Sequence, residues 1–103
     1  MNENYLIVIP ARGGSKRLRR KNVRLFSGKP LIAWTINLAL QIPGKNKVVV
    51  STEDKEIADI AEKYGANVPF LRPIELADDH ISAVEVLKHA VLTLKFDGIV
   101  ILL

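Results

Sequence analysis

The stretch YLIVIPARGG, residues 5–14, places five apolar residues directly before a proline and a basic, glycine-paired turn. Tyr5-Leu-Ile-Val-Ile9 carries no polar alternation and contains β-branched residues, so it reads as a strand buried on both faces, as in a parallel sheet. Pro10 ends the run. Residues 11–23 then form a basic loop leaving what would be the carboxyl end of the first strand.

Working outward, Gly28-Lys29-Pro30 punctuates the chain, and Pro30 suits the first turn of a helix. Leu31, Trp34, Leu38 and Ile42 recur at helical spacing, predicting a helix from Pro30 to about Gln41 with Trp34 and Leu38 in its core. Lys47-Val-Val-Val-Ser51 is a second strand, and Ser51, Thr52 and Asp54 offer cap chemistry for the helix after it. That helix turns Ile57, Ile60, Ala61 and Tyr64 inward and ends near Gly65. Residues 67–71 read as a short third strand broken by Pro69, and residues 72–80 as an irregular acidic loop. Val84, Leu87, Val91 and Leu94 mark a helix from about Ser82 to Lys95, and residues 98–103 a further buried strand. This alternation predicts an α/β, Rossmann-like doubly wound, mostly parallel sheet with helices on both faces. Because the chain stops inside an apolar strand, the expectation is that residues 1–103 are the N-terminal part of a single domain that is incomplete at the C-terminus.

The chain has 103 residues, 49% of them hydrophobic, which suits one packed domain and excludes a disordered chain. It has no cysteine, so disulfide frameworks and thiolate metal sites are excluded. No apolar run approaches the ~20 residues of a membrane span, and the N-terminus does not read as a secretory signal. The expected location is the cytoplasm, with no membrane partner. The net charge is +4, but it is unevenly spread. Eight of the fifteen basic residues lie between Arg12 and Lys29, where there is no acid; the other seven face all eleven acids elsewhere in the chain. A focused cationic patch on a slightly acidic body points to a local anion site rather than to a nucleic-acid-binding surface.

Ligands of doubly wound sheets bind beyond the carboxyl ends of the strands, where this loop lies. Gly13 and Gly14 allow close backbone approach, and consecutive amides can cradle an anion. Ser15 adds a hydroxyl donor, and Arg12, Lys16 and Lys21 bring charge to a polyphosphate. The segment is not a P-loop, since Gly28-Lys29 is followed by Pro30, and it lacks the G-x-G-x-x-G dinucleotide fingerprint. A solvated basic turn is the plain alternative.

Ile9-Pro-Ala-Arg-Gly-Gly-Ser-Lys16, closing in Arg20-Lys21-Asn22, resembles the signature of the acylneuraminate cytidylyltransferases, which make CMP-sialic acids and related CMP-sugars. The resemblance continues through Gly28-Lys-Pro-Leu31, Val50-Ser-Thr52, Val68-Pro-Phe-Leu-Arg-Pro73, Glu75-Leu-Ala-Asp-Asp79 and Lys88-His-Ala90, nearly the whole chain. The Leu76-to-His80 and Val86-to-Ala90 segments lean toward the pseudaminic acid branch. It implies a nucleotide-diphospho-sugar transferase fold and a reaction in which the anomeric hydroxyl of a nine-carbon acidic sugar (sialic, pseudaminic or legionaminic) attacks the α-phosphorus of CTP, for surface glycan biosynthesis. By position it makes Arg12 and Lys21 catalytic cations, and Gly13, Gly14, Ser15 and Lys16 triphosphate holders. Asn22 would seat the nucleotide, Arg72 brace the site or the cytosine side, and Ser82 meet the base. Arg17, Arg19 and Arg20 would remain solvated. It further implies Mg²⁺ whose ligands lie beyond Leu103, and a homodimer of the full-length protein.

Two departures stand out. Where sialic acid members carry paired Ser/Thr residues, this chain has Ile81-Ser-Ala83, so only Ser82 offers a hydroxyl. The family's metal-binding aspartates lie past Leu103, so 103 residues alone are not expected to turn over. Adjacent Asp78 and Asp79 read as an acidic turn capping the next helix, and His80 and His89 lack partners at zinc-ligand spacing, His89 reading as a helix-surface residue. The competing readings are a non-catalytic nucleotide-binding remnant, a nucleic-acid-binding module, which no aromatic residue in the loop supports, and a synthetase for the eight-carbon acid of lipopolysaccharide.

Overall fold

The computed structural model describes residues 4–14, 21–78 and 80–103. The central strand is β1 (Tyr5–Pro10). It pairs in parallel with β4 (Lys47–Ser51) on one side and β5 (Ile99–Leu102) on the other, giving the order β4-β1-β5. Ile7 stands beside Val48 and Ile101, and Val8 beside Val49 and Leu102. Since strand residues alternate between faces, each strand feeds two cores. Ile7, Ile9, Val48 and Val50 pack with Ile32, Ile36 and Ala39 of helix α1 (Leu31–Leu40) and with Ile57 and Ala61 of helix α2 (Lys55–Lys63). Leu6, Val8 and Val49 face the opposite side, against Ala90 of helix α3 (Ala83–Leu94) and the half-buried Leu87, Val91 and Leu94. The uninterrupted apolar sequence of β1 is thus a consequence of covering both faces. Each fully buried aliphatic side chain contributes about 1.5–3 kcal/mol.

The chain runs outward from β1 to β4 and then to Asn67, returning through α3 to β5 on the far side of β1. The direction of winding therefore reverses between β1 and β5, and the basic loop leaves β1 at that switch point.

Five local expectations are corrected. First, α1 buries Ile32, Ala33, Ile36 and Ala39, whereas Leu38 is 62% exposed and Trp34 half-buried. The helix is apolar nearly all round, so two stripes fit the helical period. The stripe containing two alanines lets the helix lie closer to the sheet. Second, Trp34 instead donates its Nε1–H to the Phe26 carbonyl at 2.7 Å and takes the Lys29 ammonium over its ring at 4.5 Å. These contacts hold a hairpin that the sequence reading missed, β2 (Leu25–Phe26) and β3 (Lys29–Pro30), closed by Ser27 and Gly28, both at positive φ (49° and 84°), the signature of a type I′ turn.

Third, residues 67–71 form no strand. Asn67 makes one parallel bridge to Val49, and Pro69, with no N–H, follows two residues on. Fourth, α3 turns Val86 and Ala90 to the core, while Val84 is 71% exposed. Fifth, β5 is less buried than its apolar sequence implies, with Ile99 and Leu102 exposed, because among the described residues only β1 pairs with it.

The caps behave as the sequence implied. Asp54 accepts the Ile57 N–H at 3.1 Å at the start of α2, Thr52 Oγ1 accepts the Asp54 N–H, and Gly65 at φ +101° closes the helix. Urea unfolding should separate the two stripes of α1. Ile36→Ala is expected to cost about 2–5 kcal/mol, and Leu38→Ala no more than about 0.5 kcal/mol. Equal losses would place Leu38 in the core after all.

Candidate nucleotide site

At the carboxyl end of β1 the chain must turn from buried strand to charged loop, and several side chains fix how it does so. The Ala11 N–H donates to the Ser51 carbonyl at 2.9 Å, extending the β1–β4 ladder by one step. Two peptide units on, the one between Arg12 and Gly13 is held at both ends. Its carbonyl accepts from Asn22 Nδ2 at 3.1 Å, and its N–H donates to both carboxylate oxygens of Glu53 at 3.1 and 3.2 Å. Arg12 Nη1 donates to the Ala77 carbonyl at 3.2 Å, drawing the loop toward the segment before α3.

Arg72 is the most enclosed charge, 3% exposed. Its own N–H donates to the Thr52 carbonyl at 2.7 Å, anchoring it beside the end of β4. Nη2 donates to the Ser51 carbonyl at 2.8 Å and Nη1 to the Leu76 carbonyl at 2.9 Å, so the planar fork bridges β4 to the 3-10 helix Ile74–Leu76. Nε is buried with no hydrogen-bond partner among the described residues, as is Ser51 Oγ. Burial pushes the guanidinium below its ordinary pKa, Glu53 acts in the opposite direction, and Arg12 adds repulsion.

These groups border a cleft of about 210 Å³. Its lining combines Arg12, Lys21, Asn22 and Arg72 with the apolar Pro10, Ile81, Ala83 and Val86. A lining that is part cationic and part apolar suits a ligand with an anionic end and a flat, less polar end.

Four of the sequence-derived candidates, Arg12, Lys21, Asn22 and Arg72, therefore converge on one cleft. Gly13 is buried behind it, with its amide engaged by Glu53. Gly14 is exposed, and a Cβ there would meet nothing within 4 Å. Ser15 and Lys16, with Arg17, Arg19 and Arg20, lie outside the described residues. Ser82 caps α3, its Oγ accepting the Glu85 N–H at 3.3 Å, and the neighbouring Ala83 lines the cleft instead. Glu53 was missed: in Ser51-Thr-Glu-Asp54 the flanking hydroxyls and Asp54 carry the cap signal, and nothing local marks a carboxylate aimed at a glycine forty residues earlier.

Two minor expectations change. Asp78 Oδ1 accepts the His80 N–H at 2.9 Å and shapes a turn, while Ser82, not the acidic pair, caps the helix; Asp79 lies outside the described residues. His89 is not simply a surface residue: its Nδ1 is buried without a hydrogen-bond partner among the described residues, and its ring meets Phe70 edge-on at 5.0 Å. Among the described residues no group of three or more His, Cys, Asp or Glu could hold a metal. The cleft lining does not fit Mg²⁺, since it offers three cations and an amide but no carboxylate, and the nearby Glu53 is committed to Gly13. No helix described here is long and apolar enough to cross a membrane.

Arg72→Lys should not restore Arg72→Ala, because an ammonium cannot serve two carbonyls in a planar fork. Both variants should lose about 1–3 kcal/mol in denaturant unfolding, the cost of leaving buried acceptors unpaired. Wild-type stability in the lysine variant would show that charge alone suffices there.

The comparisons with known proteins agree with this geometry. The family model described as Cytidylyltransferase matches residues 6–101. The chain is 54% identical over 91 residues to a CMP-N,N'-diacetyllegionaminic acid synthase of Legionella pneumophila, covering 88% of this chain and 38% of that protein. It is 49% identical over 86 residues to a pseudaminic acid cytidylyltransferase of Campylobacter jejuni, covering 84% and 37%. In fold it is similar to a CMP:2-keto-3-deoxy-manno-octonic acid synthetase complexed with CTP, with a TM-score of 0.81, 33% identity, and coverage of 98% of this chain and 39% of that one. The chain thus spans less than two fifths of the length of these relatives, and with the matched model running almost from end to end, it belongs to the cytidylyltransferase family.

Proposed function

We propose that this chain is the nucleotide-binding part of a cytidylyltransferase that activates a nine-carbon acidic sugar with CTP, giving the CMP-sugar and pyrophosphate. The observation that carries the reading is the convergence of Arg12, Lys21, Asn22 and Arg72 on one cleft at the point where the sheet reverses its winding. The anomeric hydroxyl of the sugar attacks the α-phosphorus, the bond to the bridging oxygen breaks, and negative charge accumulates on phosphate oxygens. Arg12 and Lys21 are the cations placed to neutralise that charge. Asn22 donates one amide hydrogen to the Arg12 carbonyl, and its second amide hydrogen and Oδ1 are the groups with which it would meet the nucleotide. Ser15 and Lys16 complete the triphosphate contacts in this reading. The apolar lining residues Ile81, Ala83 and Val86 are the surface for the flat cytosine ring in this reading.

The substrate sugar is of the sialic, pseudaminic or legionaminic class. Identity to the legionaminic relative (54%) is no lower than to the pseudaminic one (49%), so it gives no support to the pseudaminic lean of the 76–80 and 86–90 segments. The reaction belongs to surface glycan biosynthesis in the cytoplasm, with the whole protein a homodimer.

Calorimetric titration of the chain with CTP and with ATP tests the nucleotide site. CTP is expected to bind in preference to ATP. Arg12→Ala and Lys21→Ala should each weaken CTP binding roughly 10–100-fold, the worth of one charge-assisted contact. Equal affinity for both nucleotides would favour a base-indifferent phosphate-binding remnant, and unchanged affinity in both variants would remove Arg12 and Lys21 from the site.

A further inference from the structure

The Arg12–Gly13 peptide is tied to two distant parts of the chain. Its carbonyl is held by Asn22, ten residues on, and its N–H by Glu53, forty residues on. A peptide unit gripped at both polar ends cannot rotate about its flanking bonds without breaking one grip. The direction in which Arg12 projects, and the path of the chain after Gly13, follow from that plane.

We propose that Glu53 is a positioning residue for the nucleotide site, clamping the Arg12–Gly13 peptide so that Arg12 is set before the triphosphate arrives. The inference rests on the nucleotide-binding reading above. Glu53 is not among the residues that line the cleft, and both its carboxylate oxygens are engaged by the Gly13 amide. It sits between Thr52, which receives the Arg72 N–H, and Asp54, which caps α2, so its backbone is fixed from both sides. It also acts electrostatically on Arg72, the enclosed cation on the same cleft. A single carboxylate thereby reaches both the loop and the buried arginine, although it lies forty residues from one and nineteen from the other.

The position raises an apparent contradiction. A negative charge beside a cationic anion site lowers the local potential, and by Coulomb's law alone its removal should tighten triphosphate binding. The clamp predicts the opposite, because an amide left without an acceptor lets the loop and Arg12 move away from the productive arrangement. The sign of the change therefore separates the two roles.

The decisive comparison uses two substitutions that both remove the charge. Glu53→Gln keeps an acceptor oxygen within reach of Gly13, whereas Glu53→Met keeps the length but offers no such acceptor. CTP and inorganic tripolyphosphate are titrated into the wild-type chain and both variants. In parallel, exchange of the Gly13 amide hydrogen is followed by NMR, and thermal unfolding checks the fold. The expected result is slow Gly13 exchange in wild type and Glu53→Gln, and fast exchange in Glu53→Met. CTP affinity should be about tenfold weaker in Glu53→Met than in Glu53→Gln, the scale seen when a group supporting a binding residue is removed. Equal affinity in the two variants, or tighter binding by Glu53→Met, would overturn the clamp. If Glu53→Met does not unfold cooperatively, Glu53→Ala takes its place in the same comparison with Glu53→Gln, and the same two results decide. Failure of the wild type to bind either probe would instead overturn the nucleotide-binding reading, which the slow Gly13 exchange of a folded wild type would distinguish from a misplaced loop.

Discussion

Strand β1 is bonded on both edges and covered on both faces, and every functional side chain of this chain is placed relative to its carboxyl end. Its partners β4 and β5 fix its height, and the two layers of helices fix its tilt. Little freedom remains at Pro10 and Ala11, so the first residue able to leave the sheet, Arg12, does so at a defined point. The reversal of winding between β1 and β5 leaves a gap there in which no crossover helix covers the strand ends. A parallel sheet thus supplies the cleft from topology alone, and the sequence has only to supply its chemistry.

That chemistry depends on burying an arginine without wasting it. A guanidinium almost withdrawn from water would be costly if unpaired. Arg72 offsets the cost with two backbone carbonyls, from Ser51 and Leu76, and with the field of Glu53. The carbonyls are main-chain groups whose position the fold already sets, so the arginine is held in place in the lining of the cleft. The same bonds tie the segment before α3 to the end of β4, which brings Ile81, Ala83 and Val86 into the same cleft as Arg12 and Lys21.

The layering was legible because it rests on periodicity. Val48, Val49 and Val50 in a row, and Ile57 with Ala61, admit one arrangement, and the structure adopts it. Where two periodic stripes coexist, as in α1, sequence cannot choose, since the choice depends on how closely the sheet approaches. The tendency of Ser27-Gly28 to form a tight turn was overlooked because the flanking strands are only two residues long. In the site, Arg12, Lys21, Asn22 and Arg72 were found because their types and order form a motif. Glu53 was not, because its role is defined by a contact across the fold and its neighbours carry a simpler explanation as helix caps.

The three cations of the cleft differ in how far they are fixed, and this difference has a physical use. Arg72 is buried and braced, Arg12 is half-buried and bonded to the Ala77 carbonyl, and Lys21 is exposed. A rigid, partly dehydrated cation interacts strongly with an anion and needs no reorganisation on binding, but it cannot follow a charge that moves. An exposed lysine loses up to about 2 kcal/mol of side-chain entropy when it is ordered, yet it can adjust its position as charge shifts from one phosphate oxygen to another. In the proposed nucleotidyl transfer the two kinds would divide the work, Arg72 defining where the nucleotide sits and Lys21 following the leaving pyrophosphate, with the apolar Ile81, Ala83 and Val86 in the same lining as the surface left to the base.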